Sequence, residues 1–119
     1  MKDWVGRLFK TIDKKDVDQF ILFLTEDASF RFANMPAVVG RENIRKTTSQ
    51  FFSSVNGLKH AIEKVVKSDD VVVCEGAVTY MLKDNSKATF PFANIFRMKN
   101  GLIADYRIYA DISTLFQKA

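Results

Sequence analysis

FPFANIFRMKNGLIADYRIYAD, residues 90–111, decides the fold. Asn100-Gly101 is a dipeptide that enters the positive-φ conformations of a two-residue hairpin turn, so the runs on either side read as paired antiparallel strands. Before the turn, Phe90, Phe92, Asn94, Phe96 and Met98 share one face by simple alternation. After it, the second strand ends at Asp111. An aromatic wall interrupted by one amide, with a carboxylate at the end of the neighbouring strand, is how an apolar ligand pocket with a few polar groups is built.

Working outward from the hairpin, residues 57 onward are all strand. LKHAIEKVVK, VVVCEGAVTYML, KATFPFANIFRMK and LIADYRIYADI are separated by Asp69-Asp70, Asp84-Asn85-Ser86 and Asn100-Gly101, which is turn chemistry. The first half is helical. Trp4, Val5, Leu8, Phe9 and Ile12 recur at helical spacing. Asp13 is placed to cap a second helix whose buried face is Val17, Phe20, Ile21 and Leu24. A strand, ASFRFAN, follows, with Phe30, Phe32 and Asn34 on one side, and Met35-Pro36 ends it. Ile44, Thr48, Phe51, Phe52 and Val55 then mark a third helix, opened by Gly40 and stopped at Asn56-Gly57. The tail ISTLFQKA reads as a last helical turn or docked segment. Helices first, then a meander of long strands, is an α+β layout. Long strands twist, so the expected product is a cone-shaped curled antiparallel sheet packed against three N-terminal helices, an α+β roll with an apolar interior.

The 119 residues form one domain, since a second core would have too little chain to bury it. Phenylalanine is abundant, at 11 residues, enough to fill a core and still line a cavity. The net charge of +4 comes from lysines scattered over helices, strands and turns, with no stripe to bind nucleic acid. Cys74 is alone, which excludes a disulfide framework and a cysteine-based metal site, and it reads as a small buried residue. One histidine and dispersed carboxylates give no convergent metal ligands, and the isolated glycines form no phosphate loop or dinucleotide fingerprint. No cofactor is expected. MKDWVGRLFKTID holds no apolar run of signal-peptide length, and no segment is long enough to span a membrane, so the expectation is a cytoplasmic protein.

The order of these elements, with TEDASF leading into the first strand, VVGRENIRK opening the third helix and YRIYAD in the last strand, resembles the nuclear transport factor 2-like superfamily over the whole chain. That superfamily includes ketosteroid isomerases, SnoaL-like polyketide cyclases, scytalone dehydratases and limonene epoxide hydrolases, so the scaffold does not fix the reaction. Against ketosteroid isomerase, the general-base position is occupied by Phe32, the oxyanion-hole tyrosine falls near Leu8 and the oxyanion-hole aspartate falls at Asn94. The resemblance therefore implies no steroid isomerisation by that mechanism. FANMP is similar to the first-strand motif of limonene epoxide hydrolase, which gives Asn34 the place of its water-orienting asparagine and Asp111 the place of its water-activating base. The tyrosine beside that asparagine is Phe32, and the arginine and second aspartate fall near Gly76 and Val78. A SnoaL-like cyclase needs less, chiefly one pocket aspartate that shuttles a proton, and Asp111 meets that requirement.

The expected site therefore has Asp111 and Asn34 as catalytic groups, with Asn94, His60, Tyr80, Phe32, Phe92 and Phe96 contacting the ligand. Desolvation among aromatic rings raises a carboxyl pKa toward working pH, which would fit Asp111 for proton transfer. Its other reading is a cap on the tail, through Asp-Ile-Ser-Thr. Asn34 reads equally as a turn residue before Pro36, and His60 as a hydrogen-bonded structural residue on an inward strand phase with Ile62. The expected partner is a hydrophobic small molecule. Two functions stand: a small cyclase-, isomerase- or hydrolase-type enzyme using one aspartate, or a non-catalytic ligand-binding or dimerisation module. The resemblance implies a homodimer through the exposed sheet, although that face reads as charged (Lys59, Glu63, Glu75, Arg97) without an evident apolar patch.

Overall fold

The structure is a computed structural model that describes residues 2–115. Helix α1 spans Lys2–Asp13 and buries Val5, Leu8, Phe9 and Ile12, the apolar stripe of its sequence. The short α2, Val17–Phe20, runs into a 3-10 turn, Ile21–Phe23, and then strand β1, Leu24–Phe32. The cap of α2 is Asp16 rather than Asp13: the Asp16 carboxylate accepts from the Gln19 backbone N–H at 3.1 Å. Lys15 adopts φ 57° at this corner, which leaves Asp13 on the preceding helix.

Strand β2, Val38–Val39, leads through Gly40 (φ 97°) into α3, Arg41–Ser54. Lys15 Nζ reaches across to donate to the carbonyls of Phe52 and Val55 at 3.2 and 3.0 Å, satisfying acceptors at the end of α3. The remaining strands are β3, Gly57–Ser68; β4, Val71–Met81; β5, Lys87–Lys99; and β6, Leu102–Tyr109. They form one six-stranded sheet in the order β2-β1-β6-β5-β4-β3. All pairings are antiparallel except β1 with β6, which run parallel. The hairpin is as the sequence predicts: Lys99 pairs with Leu102, and Asn100 and Gly101 take φ 53° and 80°.

Helix α1 packs on β3, at one edge of the sheet, while α3 packs on β1, toward the other. Side chains from β1 and from β3 nevertheless line one cavity, so the sheet is strongly curled. The curl has a local cause in the register shift between Ile62 and Lys64, opposite Gly76. A Cβ on Gly76 would collide with the Ala61 carbonyl oxygen, so only glycine allows β3 to bend this close to β4.

The inner face is buried and the outer face is not bare of apolar groups. Val66 pairs with Val73, which pairs with Ile95, giving an apolar row across β3, β4 and β5 on the outer face. Arg97, Arg107 and Glu75 flank it. This differs from the charged face expected from sequence, because the bulge at Glu63 shifts the β3 phase and brings Val66 outward.

Candidate active site

The cavity, about 280 Å³, sits between α3 and the curled sheet. Phe30 and Phe32 from β1, Tyr80 from β4, Phe92 from β5 and Tyr106 from β6 supply rings, and α3 adds Phe51 and Phe52. Exposed Met35 and Thr47 mark its mouth, beside Ala110 and Ile112 of the C-terminal segment. Among the described residues, the lining holds no lysine, arginine, aspartate or glutamate.

His60 is its one titratable nitrogen base. Its Nδ1 lies 2.6 Å from Asp13 Oδ1, and its backbone N–H donates to Asp13 Oδ2 at 2.9 Å. A carboxylate only accepts, so Nδ1 carries the proton, and in the neutral imidazole Nε2 presents a lone pair. The ring is held between Phe9 (centroids 4.6 Å apart) and Phe92 (5.2 Å, edge to face). Asp13 itself opens on a groove outside the cavity, between α1 and β3, among Lys10, Lys14 and Lys59. The pair thus spans the wall between interior and solvent.

Tyr80, Asn94 and Thr48 are among the further polar side chains that line the cavity. Burial, reinforced by the Asp13 carboxylate, pushes the Tyr80 hydroxyl up to about 12, so it remains a neutral donor. Asn94 is 2% exposed and its Oδ1 has no hydrogen-bond partner. Thr48 is 9% exposed and its Oγ1 is likewise unpartnered. Burial also pushes the Cys74 thiol up to about 12, against a hydrogen bond at the Asn94 backbone; Cys74 is a neutral core residue. Among the described residues no cluster of His, Cys, Asp or Glu is placed to hold a metal ion.

Asn94, His60, Tyr80, Phe32 and Phe92 all reach the cavity. Phe96 does not: it keeps its inward phase but packs on Trp4 and Tyr106 in the core beneath, at 5.7 and 4.7 Å. Asn34 and Asp111 come together, but in a shallow polar cleft with Arg31 and Tyr109 outside the cavity. Ala33 takes φ 50° and breaks the strand alternation that would have carried Asn34 inward. Asp111 is exposed, and its Oδ1 accepts from the Ser113 backbone N–H at 3.0 Å. That bond, and then the Ser113 hydroxyl, hold its carboxyl below the usual range, the reverse of the expected desolvated, raised carboxyl. The tail cap is the reading these contacts describe. Asp13 was missed because its sequence context reads as a helix cap, and only folding brings it to a strand that starts at residue 57.

Residues 5–106 match the SnoaL-like domain, and the chain belongs to that family. No sequence among the curated proteins matches it. Solved structures with this fold are numerous. An NTF2-like protein of unknown function from Burkholderia pseudomallei superposes with a TM-score of 0.84 at 14% identity, covering 93% of this chain and 90% of that one. A protein of ketosteroid isomerase-like fold from Catenulispora acidiphila, in complex with trimethylamine, gives 0.84 at 17% identity, covering 92% and 85%. A limonene epoxide hydrolase-like enzyme from M. tuberculosis gives 0.80 at 17%, covering 94% and 83%. At these identities the likeness is one of fold, which epoxide hydrolases share with proteins of unknown function. No helix among the described residues is long and apolar enough to cross a membrane.

Proposed function

We propose that the cavity binds an uncharged, largely apolar small molecule and that His60, held by Asp13, moves a proton on it. The observation that carries this reading is the 2.6 Å contact from His60 Nδ1 to Asp13 at the wall of an otherwise uncharged cavity. With Nδ1 committed, Nε2 takes a proton from one ligand atom and returns it to another, and the Asp13 carboxylate stabilises the imidazolium between the two steps. Such a sequence is an isomerisation or ring closure and needs no co-reactant. The proton-transfer role proposed here lies with His60 and Asp13; Asp111 holds the C-terminal segment.

Oxindole tests this, as a neutral bicyclic carbon acid with hydrogens next to a carbonyl. In D₂O the wild-type protein should accelerate deuterium uptake at C3, followed by proton NMR. His60→Gln should reduce the acceleration about 100-fold, within the usual range for general base catalysis. Asp13→Asn should reduce it less, because the imidazole remains but loses its orienting anion. Oxindole that binds without accelerated exchange would favour the second reading, a non-catalytic binding module, which the absence of a carboxyl group from the cavity lining among the described residues supports.

The outer face supports a homodimer. The row Val66, Val73 and Ile95, with exposed Tyr109 nearby, is an apolar strip on the sheet's outer surface, and we propose that a second copy covers it. Sedimentation equilibrium should give a dimer for the wild type and a monomer for Ile95→Lys.

A further inference from the structure

Two of the side chains that line the cavity carry a buried polar atom with nothing to bond to. Asn94 Oδ1, on β5, and Thr48 Oγ1, on α3, are both buried and both belong to side chains that line it. A buried acceptor left alone costs on the order of 1–3 kcal/mol. Two such atoms on side chains that line one apolar cavity leave room for partners supplied from outside. An amide oxygen only accepts, so the partner of Asn94 Oδ1 must be an N–H or O–H. Charge is disfavoured by the same lining: among the described residues no lysine or arginine faces the cavity to pair a carboxylate or phosphate, and an unpaired buried ion is costly. Size sets the last limit. At an interior packing density of about 0.75, a cavity of about 280 Å³ takes an occupant of roughly 200 Å³, two or three fused rings.

We propose that the occupant is a neutral fused-ring molecule carrying an N–H or O–H donor, accepted by Asn94 Oδ1, with Thr48 Oγ1 as the second polar contact. This rests on the cavity being the ligand site, as above, and adds which chemistry it selects. The flanking rings, Phe92 on the same strand and Tyr106 on the next, offer apolar surface to the flat faces of such a molecule, while the amide reads its edge.

Three probes of nearly one shape separate the possibilities: indole has an N–H donor, indene has neither donor nor acceptor, and benzofuran has only an acceptor. Calorimetric titration should show indole binding about five- to tenfold more tightly than the other two, the worth of one net hydrogen bond. Asn94→Leu should bring the three affinities together, whereas Thr48→Val should leave them unchanged, because the single N–H of indole is already committed to Asn94. In the wild type, the Asn94 side-chain amide resonances should move with indole and stay with indene, a readout that needs no variant to fold. Indene or benzofuran binding as tightly as indole would overturn the donor assignment while leaving the cavity as a ligand site. Failure of all three to bind would overturn both.

Discussion

At the scale of single residues, aspartates at opposite ends of the chain take hydrogen bonds other than those their sequence contexts imply. Asp13, apparently a helix cap, is committed with both oxygens to His60. Asp111, apparently a pocket base, is an exposed cap on Ser113. Each assignment has a physical reason: a carboxylate goes where donors are, and the donors of β3 and of residue 113 are known only once the chain is folded. His60 was legible because a sole histidine in phase with Ile62 must face inward. Asn34 was not, because one positive φ at Ala33 undoes the alternation on which the reading depends. The role of Asp111 carries a pH signature. Its carboxyl is lowered from 3.8, so its bond to Ser113 contributes fully above that value and is lost as pH falls through the lower folded pKa. Acid titration should therefore loosen residues 111–115 locally, seen as loss of amide exchange protection at Leu115, whose N–H donates to Ile112. Asp111→Asn, which keeps an accepting oxygen, should leave the segment docked and remove its acid sensitivity.

At the scale of elements, the sheet was readable and its curvature was not. Turn dipeptides such as Asn100-Gly101 announce themselves because few residues tolerate positive φ. The bulge between Ile62 and Lys64 leaves no comparable mark, and its partner, Gly76, resembles any glycine in an apolar run. Nor does sequence show that β1 joins β6 in parallel, since that pairing depends on the long connection between them. Yet the bulge lets strands from opposite sides of the sheet face one cavity. Gly76→Ala tests this dependence. The added methyl meets backbone, not a flexible side chain, so relief requires moving β3. The variant should lose about 2 kcal/mol or more in urea unfolding, in the range of strained overpacking, where an alanine at an open strand position would cost far less. The nearby His60–Asp13 contact should weaken with it, because His60 lies on the strand that must shift, next to Ala61.

For the whole molecule, the cavity is the feature that stability alone does not explain. An unrelaxed apolar void costs on the order of 24 cal/mol per Å³, so a dry space of about 280 Å³ would cost roughly 7 kcal/mol. That is comparable with the entire net stability of a small domain, about 5–15 kcal/mol. The Phe-rich composition could have filled it; Phe96, Trp4 and Tyr106 do close the adjoining core. The fold packs one half of its interior and leaves the other open at Met35 and Thr47, which is the space the proposed ligand would take. Occupancy is then linked to stability: a ligand that binds only the folded chain adds about 2.7 kcal/mol at a free concentration of 100 times its Kd. Val78, 2% exposed on the cavity wall, allows a direct test. Val78→Phe should place a ring in the space now open, raising the Tm of the free protein by recovering part of the void cost. The same variant should show no further rise with indole, whereas the wild type should rise with indole concentration by the linkage relation. If Val78→Phe folded normally and kept the full indole response, the occupant would bind elsewhere, and the cavity would have to be read as solvent-filled space beneath the mouth.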